Sequence, residues 1–363
     1  HMMRRPNISG VLNSVWLKRA RPDYLRYNRA LHNCSGAQKA YLLRLLHRNK
    51  TSLYGREHGF ERMQSIDAFQ ESVPITKYSD YSAYIQKIAD GEDCVLTKER
   101  IRLFEPTSGT GSGEKLIPYT AELQREFQRG INPWIGSLYA LDPDIFRGRA
   151  YWSVSPSVRP DRDPHGVIPV GFDNDWRYLG AIGKLLYSHV AVLPLGFADI
   201  SDAAAFRNAS LAGLVAADDL RLISIWSPSF LRIMLDWYMS NRSDVLELLC
   251  STAKGRKRAS FLRTLTMDSN MFQHIWPELK VVSCWTESAS KQESEKLAQL
   301  LPHAQIQGKG LISTEAFVSF PLSSGQDPAL SILSHFFEFE NAEGQILLAH
   351  ELETGHEYSV IVT

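Results

Sequence analysis

No stretch of the 363-residue chain reaches 18 consecutive apolar residues, so neither a transmembrane helix nor stable membrane insertion is expected. The N-terminus also lacks the apolar core of a secretory leader. Cysteine is scarce: Cys34, Cys94, Cys250 and Cys284 lie far apart, with no C-x-x-C pair and no histidine cluster beside them. That spacing argues against a disulfide framework or a zinc ribbon and suits a reducing, cytoplasmic setting. A surplus of one charge is missing too, since 40 Lys and Arg balance 40 Asp and Glu. A dedicated nucleic-acid binder would carry a basic excess, so small-molecule partners are expected instead.

What is present is ordinary globular material. Hydrophobic residues make up 44% and charged residues 22%, enough for a real core. The length exceeds one minimal core and suggests two or three packed sub-domains. Charge is uneven along the chain: residues 1–60 hold 12 Lys and Arg against only Asp23 and Glu57. These charges alternate with Leu42, Leu43, Leu45 and Leu46 in the manner of a solvated helix face. His1-Met2 ahead of Met3 reads as a cloning scar. The histidines form no H-x-x-x-H pair, and His189 and His335 read as core or surface residues rather than catalytic bases.

Periodicity divides the chain into three parts. Residues 3–105 read as a helical region, with helices from Tyr24 to Asn49 and from Lys77 to Asp90, the latter closed by Gly91. Short apolar groups between Cys94 and Phe104 suggest strands feeding a glycine-rich segment. Residues 106–322 alternate strand and helix. Extended Leu116–Thr120 precedes a helix capped by Thr120, and Tyr151–Val154 is a strand. Helices are expected over Leu179–Val192, Ser201–Leu214, Ser229–Met239 and Ser288–Leu301. Strands are expected over Leu220–Trp226 and Leu279–Cys284 and just before Gly308. Lys254–Arg258 reads as a solvated charged turn. This alternation predicts an α/β fold with a largely parallel sheet flanked by helices. Residues 323–363 read as an antiparallel meander of three strands, Ala329–Glu340, Gln345–Glu351 and Glu357–Thr363.

The strongest chemical signal is Thr107-Ser108-Gly109-Thr110-Gly111-Ser112-Gly113-Glu114-Lys115. Glycines let backbone N–H groups converge on an anion, hydroxyls add donors, and a lysine balances charge, which together suit phosphate. Neither G-x-x-x-x-G-K-[ST] nor G-x-G-x-x-G fits, and the G-x-S-x-G elbow fails because Ser112 lies directly between Gly111 and Gly113. Composition alone leaves a flexible surface turn open.

The wider run Thr107–Thr120 resembles the first signature of the acyl acid amido synthetases, a family of auxin-responsive plant proteins and bacterial relatives within the acyl-adenylate-forming superfamily. Leu222–Leu231, Gln307–Ala316 and Ser334–Phe339 resemble later signatures in family order, and Thr51–Phe60 with Val73–Tyr81 resembles the N-terminal part. The resemblance covers nearly the whole chain. It implies an acyl-adenylate-forming N-terminal domain that activates a carboxylic acid with ATP and Mg²⁺ and then joins it to an amine or amino acid. It further implies that Thr107, Ser108, Gly109, Thr110, Gly111 and Ser112, together with Gly308, Leu311, Ser313 and Thr314, contact the nucleotide. Lys115 would add a cation and Glu315 would hold the magnesium. Leu311 stands where many plant members carry an adenine-stacking tyrosine. The expected Arg-Tyr-Arg…Asp signature and mobile C-terminal lid domain are absent from the sequence, which ends at Thr363. Trp226, Ser229 and Phe230 are the candidates for an acid pocket suited to a hydrophobic or aryl acid, with Trp134 and Trp285 as further candidates. The competing readings are a catalytically silent nucleotide- or carboxylate-binding interaction module, and a thioester ligase sharing the same adenylate.

Overall fold

The structure is a computed structural model that describes residues 8–107, 115–152, 168, 190–193, 202–322 and 327–363. The segment Ser108–Glu114, His189 and most of the expected helix Leu179–Val192 lie outside the described residues.

The first helical run is two helices, α1 (Ile8–Leu31) and α2 (Cys34–Asn49). They part at Asn33, whose carboxamide oxygen accepts the Gly36 N–H at 3.1 Å and caps α2. Short helices α3 (Leu53–Glu57), α4 (Ile66–Ser72) and α5 (Ser82–Ala89) follow. Gly91, at φ 92°, ends the last of them in the left-handed conformation that glycine adopts without strain. Leu42, Leu46, Phe60 and Phe69 form a satellite core that reaches Phe336 near the far end of the chain. The expected strand at Cys94 does not form. The carbonyls of Cys94 and Val95 instead accept the Leu53 and Tyr54 N–H groups at 2.8 and 3.0 Å, satisfying the start of α3.

Strand β1 (Leu103–Pro106) pairs antiparallel with β2 (Leu116–Tyr119), and Thr107 N–H donates to the Lys115 carbonyl at 2.9 Å. The glycine-rich segment thus joins two paired strands. Thr120 Oγ1 then accepts the Leu123 N–H at 3.0 Å and opens α6 (Ala121–Leu141).

The central sheet is built from β3 (Arg149–Trp152), β4 (Leu220–Ser224), β5 (Val281–Cys284) and β6 (Gln305–Gly308), all parallel and in sequence order. Helices α7 (Ala203–Ala216), α8 (Pro228–Leu249), α9 (Ala253–Thr264), α10 (Met271–Ile275) and α11 (Lys291–Leu300) occupy the connections. Side chains alternate between faces. Ala150, Leu222 and Val281 pack with Trp134, Ile135 and Leu138 of α6, whereas Ile223, Val282 and Cys284 pack with Leu211, Leu231 and Leu235 of α7 and α8.

One expected turn proves to be a helix. Lys254–Arg258 opens α9, with Thr252 Oγ1 accepting the Gly255 N–H at 3.0 Å. Arg258 turns inward, and its guanidinium donates to the carbonyls of Val215 at 2.9 Å and Ile275 at 2.6 Å. A charge run hides such an inward arginine, because the buried acceptors are backbone groups that leave no mark in a sequence.

The C-terminal part is antiparallel as expected, but Ala329–Glu340 is not one strand. Strand β7 (Ser319–Pro321) pairs with β8 (Pro328–Leu330), a turn through Ser334 follows, and β9 (Phe337–Glu340) begins a separate sheet. There β9 is central, flanked by β10 (Ile346–Leu348) and β11 (Ser359–Val362).

Candidate active site

Three parallel strands deliver their carboxyl ends to one place, where ligands of open α/β sheets characteristically bind. Strand β4 runs into Trp226 and then Pro228, which starts α8. Strand β5 runs into Trp285, whose N–H donates to the Trp226 carbonyl at 2.9 Å. The two indole centroids are 5.8 Å apart, and both residues are 42% exposed. Strand β6 ends at Gly308, where an added Cβ would meet Thr286 Oγ1 at 2.6 Å.

Lys309 follows, its N–H bonded to the Cys284 carbonyl at 2.8 Å. Its Nζ donates to Ser224 Oγ at 2.8 Å and lies 5.2 and 5.1 Å from the ring centroids of Trp134 and Trp226. Trp134 is fixed from behind by Nε1–H donation to Gln307 Oε1 at 3.1 Å. Burial pushes the Lys309 ammonium down to about 8, and it pushes the neighbouring Cys284 thiol up to about 11. Lys309, Ser224 and Gln307 were not among the residues singled out from the sequence. The available signal was a lysine one position past the end of a parallel strand, set between two glycines.

Of the expected acid-pocket residues, Trp226 stands here with Trp134 and Trp285. Ser229 hydrogen-bonds Ser227 through their hydroxyls at 2.6 Å. Phe230 packs against the core on the α7–α8 side. That cluster lies on the opposite face of the sheet from Trp134.

Beyond Gly310 the chain folds into a hairpin. Leu311 N–H donates to Ser319 Oγ at 2.8 Å, and the Leu311 carbonyl accepts the N–H groups of Val318 and Ser319, each at 3.0 Å. Ser313 N–H donates to the Ala316 carbonyl at 2.9 Å, which leaves Thr314 and Glu315 at the tip. Glu315 is exposed and Leu311 is 54% exposed, an open apolar contact beside the tip. At the glycine-rich end, Lys115 Nζ lies 5.7 Å from the Tyr78 ring centroid, and the buried Thr107 hydroxyl has no partner among the described residues.

A buried polar group supports the hairpin from below. The Phe317 N–H donates to His335 Nε2 at 3.2 Å, which places the imidazole proton on Nδ1, 3.8 Å from Glu126 Oε2. Tyr41 O–H donates to Glu126 Oε1 at 2.5 Å. Burial pushes the Glu126 carboxyl up to about 7 and, with nearby Arg129, holds His335 down to about 3. The two titrate with opposite effects on stability. A raised carboxyl pKa stabilises the fold at low pH, and that contribution is lost between about pH 4.5 and pH 7. A depressed imidazole pKa stabilises above about pH 6.5 and is lost as pH falls toward 3. Glu126→Gln keeps an acceptor for Tyr41 and removes only the first effect. Urea unfolding should show the variant gaining on the parent as pH rises from 5 to 8, by up to about 3 kcal/mol at 1.36 kcal/mol per unit. Parallel pH profiles for the two proteins would contradict this.

The GH3 family N-terminal domain profile matches residues 25–306. The chain is 24% identical over 389 residues to the indole-3-acetic acid-amido synthetase GH3.15 of Arabidopsis thaliana, an alignment covering 91% of this chain and 63% of that protein. It is 33% identical over 142 residues to GH3.17 of the same plant, covering 38% of this chain and 23% of the relative. Among solved structures, the GH3.15 acyl acid amido synthetase in complex with 2,4-DB shares the fold, with a TM-score of 0.77 at 18% identity over 91% of this chain and 63% of that one. The chain thus spans less than two thirds of the length of these relatives.

Proposed function

The chain belongs to the GH3 family, and from that membership we propose that it forms the large domain of an ATP-dependent acyl acid amido synthetase. In the first half-reaction a carboxylate oxygen attacks the α-phosphorus of ATP and pyrophosphate leaves, giving an acyl adenylate. In the second an amine or amino acid attacks the acyl carbon and AMP leaves, giving an amide. The observation that carries this reading is the meeting of Trp226, Trp285 and Lys309 at the carboxyl ends of β4, β5 and β6, directly before the hairpin that presents Glu315.

Each part has a chemical task. The Thr107 hydroxyl, the residues 108–112 and Lys115 supply donors and a cation to the phosphates, where pre-placed donors stabilise charge developing in transfer. Leu311 would offer the base an apolar face, and the family resemblance assigns Gly308, Ser313 and Thr314 to the nucleotide as well. Magnesium fits Glu315 by its chemistry: an exposed carboxylate at the hairpin tip can supply one anionic oxygen ligand. A cation held there takes its other ligands from phosphate oxygens and water, and when bound it neutralises charge on the phosphates. No helix among the described residues is long and apolar enough to cross a membrane.

The test is ATP–pyrophosphate exchange by the complete gene product with a panel of aryl and aliphatic carboxylic acids, followed by amide formation with amino acids. Acid-dependent exchange is the expected result. ATP binding with no exchange for any acid would leave a silent binding module, and product formation only with thiol acceptors would leave a thioester ligase.

A further inference from the structure

We propose that Lys309, whose ammonium bonds Ser224 with Ser283 next to it in the sheet register, is the seat of the acid's carboxylate. This rests on the ligase reading and adds the residue that receives the substrate's charge.

The hydrogen-bonding ledger of the pocket is one-sided. An ammonium has three donors, and among the described residues Lys309 uses one of them, on Ser224 Oγ. No carboxylate among the described residues forms an ion pair with it, although half-buried cations normally have one. The indoles of Trp134 and Trp226 offset part of that cost through their ring faces but accept no hydrogen bond in the ordinary sense. Beside Ser224 in the sheet register stands Ser283, and beside that Gln307. Residues in register on parallel neighbours share a face, so all three side chains lie on the Trp134 side. Ser283 is fully buried, and its hydroxyl has no partner among the described residues. Among the described residues, the Lys309 ammonium and the Ser283 hydroxyl thus both have protons without an acceptor on this side of the sheet.

A carboxylate answers that need. It is acceptor-only, with about four lone-pair sites. Its single charge cancels the single charge of Lys309, whereas a triphosphate would bring several negative charges to one cation between two indoles. The exposed faces of Trp226 and Trp285 then offer stacking area to a flat ring and less to a short aliphatic chain.

The experiment is calorimetric titration of the complete gene product, without ATP, using phenylacetate and its neutral isostere phenylacetamide. The parent should bind phenylacetate about tenfold or more tightly than the amide, as a charge-assisted contact implies. Lys309→Gln should bind the two within about twofold of each other, and Ser283→Ala, which leaves the charge in place, should weaken phenylacetate by a few-fold only. Unchanged phenylacetate affinity in Lys309→Gln, or no preference over the amide in the parent, overturns the proposal. Should Lys309→Gln fail to fold, Lys309→Arg decides: retained preference for the anion supports the seat, and its loss in a folded protein with both serines intact counts against a simple charge contact. Pyrophosphate exchange separates the two claims. Binding that depends on Lys309 without exchange would sink the ligase reading alone, and exchange by Lys309→Gln at the parent's KM for acid would sink the seat alone.

Discussion

In the complete gene product, Glu315→Gln lowers acid-dependent pyrophosphate exchange by about a hundredfold or more and flattens its dependence on magnesium. The size follows from the proposed role: the variant would remove an anionic metal ligand, and a catalytic metal supplies several kcal/mol to a transition state, each 1.36 kcal/mol being worth tenfold in rate. The specificity follows from where the residue stands. Glu315 sits exposed at a hairpin tip held by backbone bonds between Ser313 and Ala316 and between Leu311 and Val318. Glutamine keeps the shape and changes none of those bonds, so the melting temperature should match the parent's. Exchange at the parental rate with the same magnesium titration would make Glu315 a surface carboxylate and nothing more.

Gly310→Ala is expected to be severe in both stability and activity. An alanine Cβ at this position would lie 2.1 Å from the Ser319 carbonyl oxygen and 2.3 Å from its carbon. Both are backbone atoms of the opposing hairpin arm, so no side chain can rotate away. The two arms must separate, which breaks the Leu311 contacts to Val318 and Ser319 and moves Lys309 against Trp134 and Trp226. Overpacking of this kind costs roughly 1–3 kcal/mol and sometimes more. The expected result is a clear loss in urea midpoint, together with exchange reduced even at temperatures where the protein is folded. A variant with parental stability and exchange would mean that the hairpin relaxes freely and does not position the site.

The alternation of strand and helix was readable because β4 and β5 are short, apolar and followed by a helical period. The places of Trp226, Gly308 and the Ser313–Glu315 turn were readable through the motifs that contain them. What escaped has a common physical cause. Arg258 and Lys309 each take their meaning from partners distant in sequence: two carbonyls for the first, Ser224 and two indoles for the second. Local pattern assigns a charged residue to solvent by default, and only the folded chain reveals the acceptor. Phe230 shows the reverse situation. Its neighbourhood to Trp226 suggested a shared pocket, but the first turn of α8 carries it to the other face of the sheet. The strand expected at Cys94 failed for a similar reason, since its carbonyls serve α3 rather than a partner strand.

The central position of β9 bears on the chain's synthesis. Its hairpin partner β10 emerges from the ribosome within a few residues, but the other edge is met only by β11, which begins at Ser359. Until then Phe337 and Phe339 belong to a strand with one open side, the kind of surface that recruits other unfinished chains. A stalled or shortened product ending before that strand would therefore be expected to aggregate, with the parallel sheet and its Lys309 pocket already folded.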